Sequence, residues 1–394
     1  MSQPGASRIR NVRLHGKGGE FDIHVADGVV SRLEPASDQP ILAGDLDGRD
    51  NLAVAAFVDG HVHLDKTLLG AEWVPHTGDD TVGTRISVEK QIRAQHADTM
   101  HSRAELLARR MLAYGTTALR THVDIDEVCG LSGLHTLLAL REQLADVMDI
   151  QIVAFPQSGL RNSATVIEDL KSALREGADV LGGLDPATID GDIEWSLDQT
   201  FDMAVQAGVG IDIHLHDRGE VGARTVEALC QRTEASGLKG RVVVSHGFCL
   251  ADADASRLAQ LAERMAIAGV SLMTAVPGPG TLVPVAELHR MGVRVFTGSD
   301  NIRDAWAPFG NGDMLDRARQ LAYRADLRTD EGLELALDCA TRFPAEFLGF
   351  AQRGPKVGAQ ADLVLLPSPS IQQAVCDAPA TRRVIRKGRE VAHL

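Results

Sequence analysis

The sequence predicts an α/β protein: a (β/α)8 TIM-type barrel with a small β-sandwich domain built from both chain ends. Three observations support this fold class. Eight short apolar segments alternate with helical patterns through the middle of the chain. Both ends instead contain short β segments separated by turns. The composition is 44% hydrophobic but only 4% aromatic, which suits many short parallel strands covered by helices.

The N-terminal part begins the predicted β domain. Turn dipeptides such as Asp27-Gly28 separate apolar stretches that lie at 11–14, 21–25, 29–33 and 52–55. The C-terminal part repeats the pattern at 361–366, 383–386 and 390–392. We therefore expect the two ends to meet in one composite domain of residues 1–55 with 345–394.

Residues 56–344 are predicted to form the barrel, because buried-type strands and helices alternate there. The strands are predicted at 53–58, 117–123, 150–155, 180–184, 211–214, 242–246, 270–273 and 293–297. The first of them begins just before residue 56. Helical patterns lie between them at 103–113, 163–176, 197–207, 224–235 and 253–268. Eight strands is the number that closes a parallel barrel.

Composition and charge exclude several classes of function. The formal net charge is −14, and an acidic surface repels phosphate backbones, so we expect no nucleic-acid partner. No uncharged apolar run approaches the roughly 18 residues of a membrane span. The five cysteines are scattered without a C-x-x-C pair, which argues against disulfides or a structural zinc site. The first 13 residues are polar, and we expect a cytoplasmic protein without a secretory leader.

The clearest chemical signal is a pair of histidines directly after an apolar strand, in the segment Phe57-Val58-Asp59-Gly60-His61-Val62-His63. Alternate side chains of an extended strand share a face, so His61 and His63 should point the same way. Two imidazoles on one rigid strand are suited to neighbouring positions around Zn or Fe. A pair of surface histidines is the alternative, but the preceding apolar run argues against it.

Three further strand ends carry histidine or aspartate. His214 ends the strand near 211–214, His246 ends 242–246, and Asp300 follows 293–297. A single residue of this kind is more often a polar cap than a ligand. The carboxyl ends of barrel strands converge on one mouth, however, so four such ends predict a metal site there.

The order His-x-His, His, His, Asp on successive strands resembles the amidohydrolase superfamily. Within that superfamily, the chain looks most like the cytosine deaminase group, which includes N-isopropylammelide isopropylaminohydrolases. The matching stretches are His61-Val62-His63-Leu64-Asp65, Arg120-Thr121-His122-Val123-Asp124, Ile152-Val153-Ala154-Phe155-Pro156-Gln157 and Ser299-Asp300-Asn301, with Trp306 and Gly312-Asp313-Met314-Leu315 further along.

The resemblance implies a role for each matching residue. His61, His63, His214 and Asp300 would hold one divalent ion, Zn or Fe. His246 would contact the metal-activated hydroxide or complete the coordination shell, and Asp300 would also accept a proton. Gln157 and Asn301 would hydrogen-bond the substrate ring, while Trp306 would pack on its face. Two-metal members usually carry a lysine after the fourth strand, and residues 179–186 contain none, so one metal is favoured.

Two positions depart from the cytosine deaminase pattern. The glutamate expected three residues after the third ligand is Asp217, with Glu220 further along the same loop. Asp217 is the predicted proton shuttle, although its side chain is one methylene shorter. Asn301 replaces a second aspartate, so the ring that is recognised has changed.

Other histidines and one lysine stay open at this stage. His122 is either a pocket residue or a buried structural histidine. For His216, a place beside the ligands or in the loop is favoured over a role as a ligand. Lys66 could contact an anionic group of the substrate, but an ion pair with Asp65 is the favoured interpretation.

The sequence therefore predicts a hydrolase that deaminates, or removes a small amine from, an amino-substituted N-heterocycle of cytosine or triazine type. A cyclic amidase or another C–N hydrolase of the same superfamily is the alternative, and a non-catalytic metal-binding barrel is a third. The partner is a small heterocyclic molecule. The oligomeric state, including a homo-oligomer, stays open.

Overall fold

The computed structural model describes residues 8–76, 81–162, 164–276, 278 and 282–393. In chain order, its strands are β1 (Arg8–Leu14), β2 (Glu20–Ala26), β3 (Val29–Pro35), β4 (Asp45–Asp47), β5 (Leu52–Ala55), β6 (Phe57–Val62), β7 (Thr116–Asp124), β8 (Asp149–Phe155), β9 (Val180–Leu184), β10 (Gly210–Leu215), β11 (Val242–His246), β12 (Ser271–Thr274), β13 (Arg294–Thr297), β14 (Leu363–Leu366), β15 (Arg383–Arg386) and β16 (Arg389–His393). The helices are α1 (Val82–Gln95), α2 (Met100–Ala113), α3 (Ser132–Leu144), α4 (Val166–Glu176), α5 (Ile193–Ala207), α6 (Gly219–Ser236), α7 (Cys249–Asp252), α8 (Ala255–Ala268), α9 (Val285–Arg290), α10 (Met314–Arg324), α11 (Asp330–Asp338), α12 (Arg342–Phe347) and α13 (Ile371–Asp377).

The barrel prediction is confirmed. Strands β6 to β13 lie side by side in chain order, and each neighbouring pair is parallel. The two edges meet where Val62 forms a parallel bridge with Asp300. There the Asp300 amide donates to the carbonyl oxygen of His61 at 2.7 Å. This closure brings the end of the last strand against the first strand, where the His-x-His pair lies.

The prediction that both chain ends form one β domain is also confirmed. Its strands are hydrogen-bonded in the order β16-β15-β14-β5-β1-β2-β3, with β4 paired to β1. A separate apolar cluster fills this domain, drawn from both ends of the chain and including Ile9, Val12, Ile23, Leu363 and Ile385. Burial of these alternating residues joins segments that are far apart in sequence.

The predicted strand at 53–58 is wrong in its limits, because it covers parts of two strands. Leu52–Ala55 pairs antiparallel with β14 in the terminal sheet, whereas the barrel strand begins at Phe57. The chain changes sheet at Ala56. Residues 52–58 are apolar or small throughout, since both sheets bury this segment, so hydrophobicity alone could not show the change.

Several helices were not predicted. They are α1, α3, α7 and the helices after β12, namely α9 to α13. Helix α1 buries only Ile86 and Glu89, so it lacks the apolar stripe by which an amphipathic helix is identified. The predicted helix start at residue 163 and the first seven residues lie outside the described part of the chain.

Two buried arginines join the terminal sheet to the barrel through Asp149, which is partly exposed. Arg386 of β15 contacts Asp149 at the start of β8 at 2.6 Å and also pairs with Asp362. Arg353 lies 3.3 Å from Asp149 and 3.6 Å from Asp362. Separately, no helix in the described residues is long and apolar enough to cross a bilayer.

Candidate active site

The first two predicted ligands lie at the mouth of the barrel, where β6 ends. His61 is fully buried and His63 is 2% exposed. The Nδ1 atom of His61 lies 3.0 Å from Ser245 Oγ, and that hydroxyl donates to Asp212 Oδ1 at 2.7 Å. This chain of contacts orients the ring and turns His61 Nε2 toward Asp300, 3.5 Å away.

His61, His63, His214 and Asp300 form one compact cluster. Each offers a ligand atom within 4.8 Å of the others. His63 Nε2 lies 3.4 Å from Asp300 Oδ1 and 3.4 Å from His214 Nε2. The closure of the barrel thus brings together residues that are up to 239 positions apart, which is 300 minus 61.

The donor set fits a divalent metal. His61 Nε2 is buried and has no hydrogen-bond partner among the described residues. Burial lowers the pKa of His63 to about 3 and the pKa of His214 well below its ordinary value. Neutral imidazoles whose lone pairs converge beside a carboxylate are the ligands that Zn and Fe bind.

The carboxylate of Asp300 is held in a constrained position. Its backbone φ is 59°, in the left-handed region that a non-glycine residue rarely adopts. Burial by itself would raise the pKa of Asp300. The nearby imidazoles, His246 most of all, nevertheless hold this pKa well below its ordinary value. His246 Nδ1 lies 3.9 Å from Asp300 Oδ2. Asp300 therefore faces the three histidines as an anion.

A second group of ligand-type residues also has its ligand atoms within 4.8 Å of one another: His61, His122 and Asp212. It shares the ring of His61 with the first cluster. Its carboxylate is already occupied, because Asp212 accepts from Arg120 at 3.0 Å and from Ser245. His122 lies outside the cavity wall described below and packs 3.9 Å from the His61 ring, centroid to centroid. The arrangement favours a supporting role for His122.

A cavity that is open to solvent lies directly against the cluster. Its wall is formed by His63, Lys66, Phe155, Gln157, Leu184, His214, His216, His246, Asp300, Asn301 and Trp306. All three predicted ring-contacting residues, Gln157, Asn301 and Trp306, are among them. The structure thus brings the predicted recognition residues and the cluster to one space.

Helix α1 supplies a wall contact that sequence reasoning missed. Its Glu89, which is 3% exposed, accepts from Trp306 Nε1 at 2.6 Å and lies 3.2 Å from Lys66 Nζ. On the same helix, Arg93 pairs with Asp124 and Asp126. No motif marked Glu89, and its spacing of four from Arg93 is only the general pattern of a helical ion pair.

Lys66 does not pair with Asp65, so that prediction was wrong. Among the described residues, its ion-pair partners are Glu89 and Asp124, the latter at 3.0 Å. Burial by itself would lower the pKa of Lys66, but these carboxylates raise it above its ordinary value. Asp65 instead accepts from the Asp124 amide at 3.0 Å.

Asp217 and Glu220 both lie outside the cavity wall. Thr188 donates to Asp217 Oδ1 at 2.7 Å, and burial raises the pKa of Asp217. Glu220 forms an exposed ion pair with Arg257 at 2.7 Å. The neighbour that does line the cavity is His216.

His216 is fixed by a carboxylate on one side and an aromatic ring on the other. Its Nδ1 lies 2.8 Å from Asp185 Oδ2, and its ring stacks on His246 with centroids 4.5 Å apart. Both residues follow the end of β10 at Leu215, and if the alternation of that strand continues, 216 falls on the face of 214 and 217 on the other. This signal was present in the sequence.

Comparison with known proteins places this geometry in context. Residues 83–392 match the model of the amidohydrolase family. N-isopropylammelide isopropyl amidohydrolase of Pseudomonas sp. (strain ADP) is 35% identical over 97% of this chain and 96% of its own length. The crystal structure of N-isopropylammelide isopropylaminohydrolase from Burkholderia multivorans ATCC 17616 superposes with a TM-score of 0.93 and 40% identity, covering 98% of both chains. That of 5-methylcytosine deaminase from Klebsiella pneumoniae, liganded with phosphonocytosine, gives 0.88 and 28%, again covering 98% of both.

Proposed function

Because the chain belongs to the amidohydrolase family and is a hydrolase of non-peptide C–N bonds, we propose that it removes ammonia or a small amine from an amino-substituted N-heterocycle of cytosine or triazine type. The observation that carries this proposal is the shared cavity. Its lining includes three members of the ligand-type cluster, His63, His214 and Asp300, together with two amides and an indole. The relatives that act on triazine and cytosine rings support the substrate class.

The proposal assigns one Zn or Fe ion to His61, His63, His214 and Asp300. When bound, such an ion lowers the pKa of a water molecule from 15.7 to about 7 and so supplies a nucleophile at neutral pH. The tight packing of the four donors supports this assignment. The contact between His61 and Ser245 keeps the Nε2 atom of that ring facing the cluster.

Proton movement is assigned to groups around the cluster. Asp300 Oδ2 can accept a proton, which leaves its carboxyl group neutral, and His246 Nδ1 lies 3.9 Å from that oxygen. Two candidates exist for protonating the leaving nitrogen. Asp217 occupies the motif position, whereas His216 lines the cavity with its Nδ1 held by Asp185.

Ring binding is assigned to the remaining wall. Gln157 and Asn301 would hydrogen-bond the polar edge of the ring, and Trp306 would pack against its face. The Trp306 indole is held by Glu89 of α1, so this helix also excludes water from one side of the ring. Exclusion of water strengthens the electrostatic interactions inside the cavity.

Amine release tests the proposal directly. The purified protein, with its metal content measured, would be incubated with amino-substituted pyrimidines, triazines and pterins, and ammonia or alkylamine would be quantified. We expect close to one Zn or Fe per chain and release of amine from at least one ring class, lost on chelation and restored by the metal. Two essential ions per chain would contradict the one-metal assignment. Loss of ring absorbance without amine release would instead indicate a cyclic amidase, and no hydrolysis of any ring would refute the proposal.

A further inference from the structure

Arg103 of α2 is a buried cation without an acidic partner. It is 6% exposed, and no carboxylate of the described residues forms an ion pair with it. Burial lowers the pKa of Arg103, and no acidic neighbour offsets this effect. Arg93 of α1 shows the ordinary arrangement, since it pairs with Asp124 and Asp126. A buried charge is costly unless a partner neutralises it, so the lone guanidinium of Arg103 indicates an anionic ligand.

Neutral acceptors hold the guanidinium of Arg103 in place. Its Nε donates to the carbonyl oxygen of Thr67 at 2.7 Å, and its Nη1 donates to the carbonyl oxygen of His96 at 2.8 Å and to Thr99 Oγ1. These contacts use three of the five N–H donors, and they fix the group without compensating its charge. The Nη2 group has no hydrogen-bond partner among the described residues. Its two N–H groups therefore remain for an acceptor.

Arg103 lies in the wall of a second cavity, of about 400 Å³. This cavity is bounded by the C-terminal end of α1 and the first turns of α2 and α3, and it shares no wall residue with the cavity at the barrel mouth. Apolar and small residues form much of the wall, among them Ala94, Met100, Val128 and Gly133. A volume of several hundred Å³ is typical of sites for small organic molecules.

The charges around this cavity restrict its occupant. The first turn of α2 carries no acidic side chain, and its N-cap residue makes no side-chain capping hydrogen bond. The positive end of the helix dipole therefore adds to the charge of Arg103. Asp65, Asp98 and Asp124 line other parts of the wall, and these carboxylates would repel an ion with several negative charges. An occupant with one negative charge satisfies Arg103 and limits this repulsion.

We propose that this cavity is a binding site for a small monocarboxylate with a short apolar body. The carboxylate accepts from Nη2 of Arg103, and the apolar body lies against Ala94, Met100 and Val128. A carboxylate suits a guanidinium because its oxygens accept charge-assisted hydrogen bonds. The site is separate from the proposed amine-releasing centre, so the inference holds whether or not the chain removes amines from rings.

Calorimetric titration of the metal-loaded protein with pentanoate tests the site. Pentanamide has nearly the same shape without the charge, and we expect it to bind at least about tenfold more weakly, because a hydrogen bond to a charged group is lost. Inorganic phosphate should also bind more weakly than pentanoate. Asp300→Ala, depleted of metal, should bind pentanoate as the wild type does, which separates this site from the barrel mouth. No binding of pentanoate, equal affinity for acid and amide, tighter binding of phosphate, or loss of binding in Asp300→Ala would each overturn the assignment.

Two variants locate the bound carboxylate. Arg103→Met removes the charge, whereas Thr136→Phe fills the cavity from α3 and leaves Arg103 in place. The hydroxyl of Thr136 donates to a carbonyl oxygen of its own helix at 3.0 Å, so little else is lost with it. Each variant should lower the affinity for pentanoate at least about tenfold. The controls, Arg110→Met at an exposed position of α2 and Thr136→Val with its unchanged size, should bind as the wild type does. Thermal unfolding shows whether Arg103→Met is folded, and Thr136→Phe decides the question if it is not. Wild-type affinity in Thr136→Phe or in a folded Arg103→Met would show that the ligand binds elsewhere.

Discussion

Asp300 is the residue in which backbone geometry and chemistry are most closely linked. Its left-handed backbone turns the carboxylate back toward β6, where the Asp300 amide also bonds His61. One oxygen of its carboxylate, Oδ1, lies 3.5 Å from His61 Nε2 and 3.4 Å from His63 Nε2. The residue therefore closes the barrel and completes the ligand set together.

Asp300→Ala should remove a ligand and the proton acceptor in one step. We expect turnover to fall by at least about 10²-fold and the bound metal to fall below one ion per chain, with the circular dichroism of the folded barrel retained. Both can be measured on the same preparation. Asp198→Ala, at an exposed position on α5, is the matched control and should keep activity and metal. Near wild-type activity of the Asp300 variant would refute its assigned role.

The identity of the proton donor to the leaving nitrogen is a second question at this scale. We expect His216→Asn to lower kcat by about 10²-fold, because its ring lines the cavity. Asp217→Asn should have a smaller effect, since Thr188 and the strand direction keep that carboxyl outside the wall. Metal content should stay unchanged in both, and kcat with a fixed ring substrate is the measurement.

Glu220→Gln serves as the control for this series, because Glu220 is engaged by Arg257 on the surface. A larger loss in the Asp217 variant than in the His216 variant would favour the motif position over the cavity-lining ring. Activity retained in all three variants would direct attention to His246.

The residues most easily predicted from the sequence are those whose position follows from strand alternation. His61 and His63 lie two positions apart at the end of β6, so the alternation of the strand puts them on one face, and the same rule could have selected His216 over Asp217. The partners of Lys66 could not be predicted, because Glu89 lies on a helix without an apolar stripe and Asp124 on another strand. Charge pairing across elements leaves no periodic trace in a sequence.

At the scale of secondary structure elements, the first and last barrel strands approach each other at a glycine. A Cβ atom on Gly298 would lie 2.6 Å from the backbone nitrogen and oxygen of His61. Real Cβ atoms do not tolerate such contacts, and the obstacle is backbone that cannot rotate away. Glycine here allows β13 to come close enough to place Asp300 beside the histidines.

Gly298→Ala should therefore push the end of β13 away from β6. Overpacking of this kind costs about 1–3 kcal/mol of folding stability, and the displaced His61 should weaken metal binding. Thermal unfolding and metal affinity would be measured together. Gly83→Ala in α1 is the control, since nothing lies within 4 Å of its added Cβ and its backbone is not left-handed. Equal behaviour of the two variants would show that the strand ends do not need this close approach.

At the scale of the whole molecule, the alternation of strands and helices was sufficient to predict the barrel, and the matching texture of the two ends was sufficient to join them. The exact boundary between sheets could not be predicted, because the run from Leu52 to Val58 is apolar and, apart from the half-buried Ala55, buried on both sides of Ala56. We propose that residues 1–55 with 345–394 form one domain and 56–344 the other. The ion pairs around Arg386 would then be their joint.

Arg386→Met should destabilise this joint without affecting the metal site. Arg386 and Asp362 are almost fully buried, and removing one partner of such a pair costs about 3–5 kcal/mol. Arg353 still faces Asp149 and Asp362, so we expect the lower end of that range. Thermal unfolding at pH 7 gives the loss, and metal content should be unchanged. Arg383→Met on the same strand is the control, because its pair with Glu390 is partly exposed and worth about 1 kcal/mol or less.

The effect of pH provides an independent check of the same joint. Burial by itself would raise the pKa of Asp149, but the Arg386 guanidinium holds it below its ordinary value. A group whose pKa is lowered by folding stabilises the protein above its unfolded pKa, about 3.9 for aspartate, and loses that contribution as the pH falls through the folded pKa. The difference in Tm between wild type and Arg386→Met should thus be constant from pH 7 to about pH 5 and shrink at lower pH. The Arg383→Met difference rests on the partly exposed pair with Glu390 and should stay small at every pH. A gap between wild type and Arg386→Met that widened in acid would mean that Asp149 is not held ionised by Arg386, and the domains would have to be joined by other contacts.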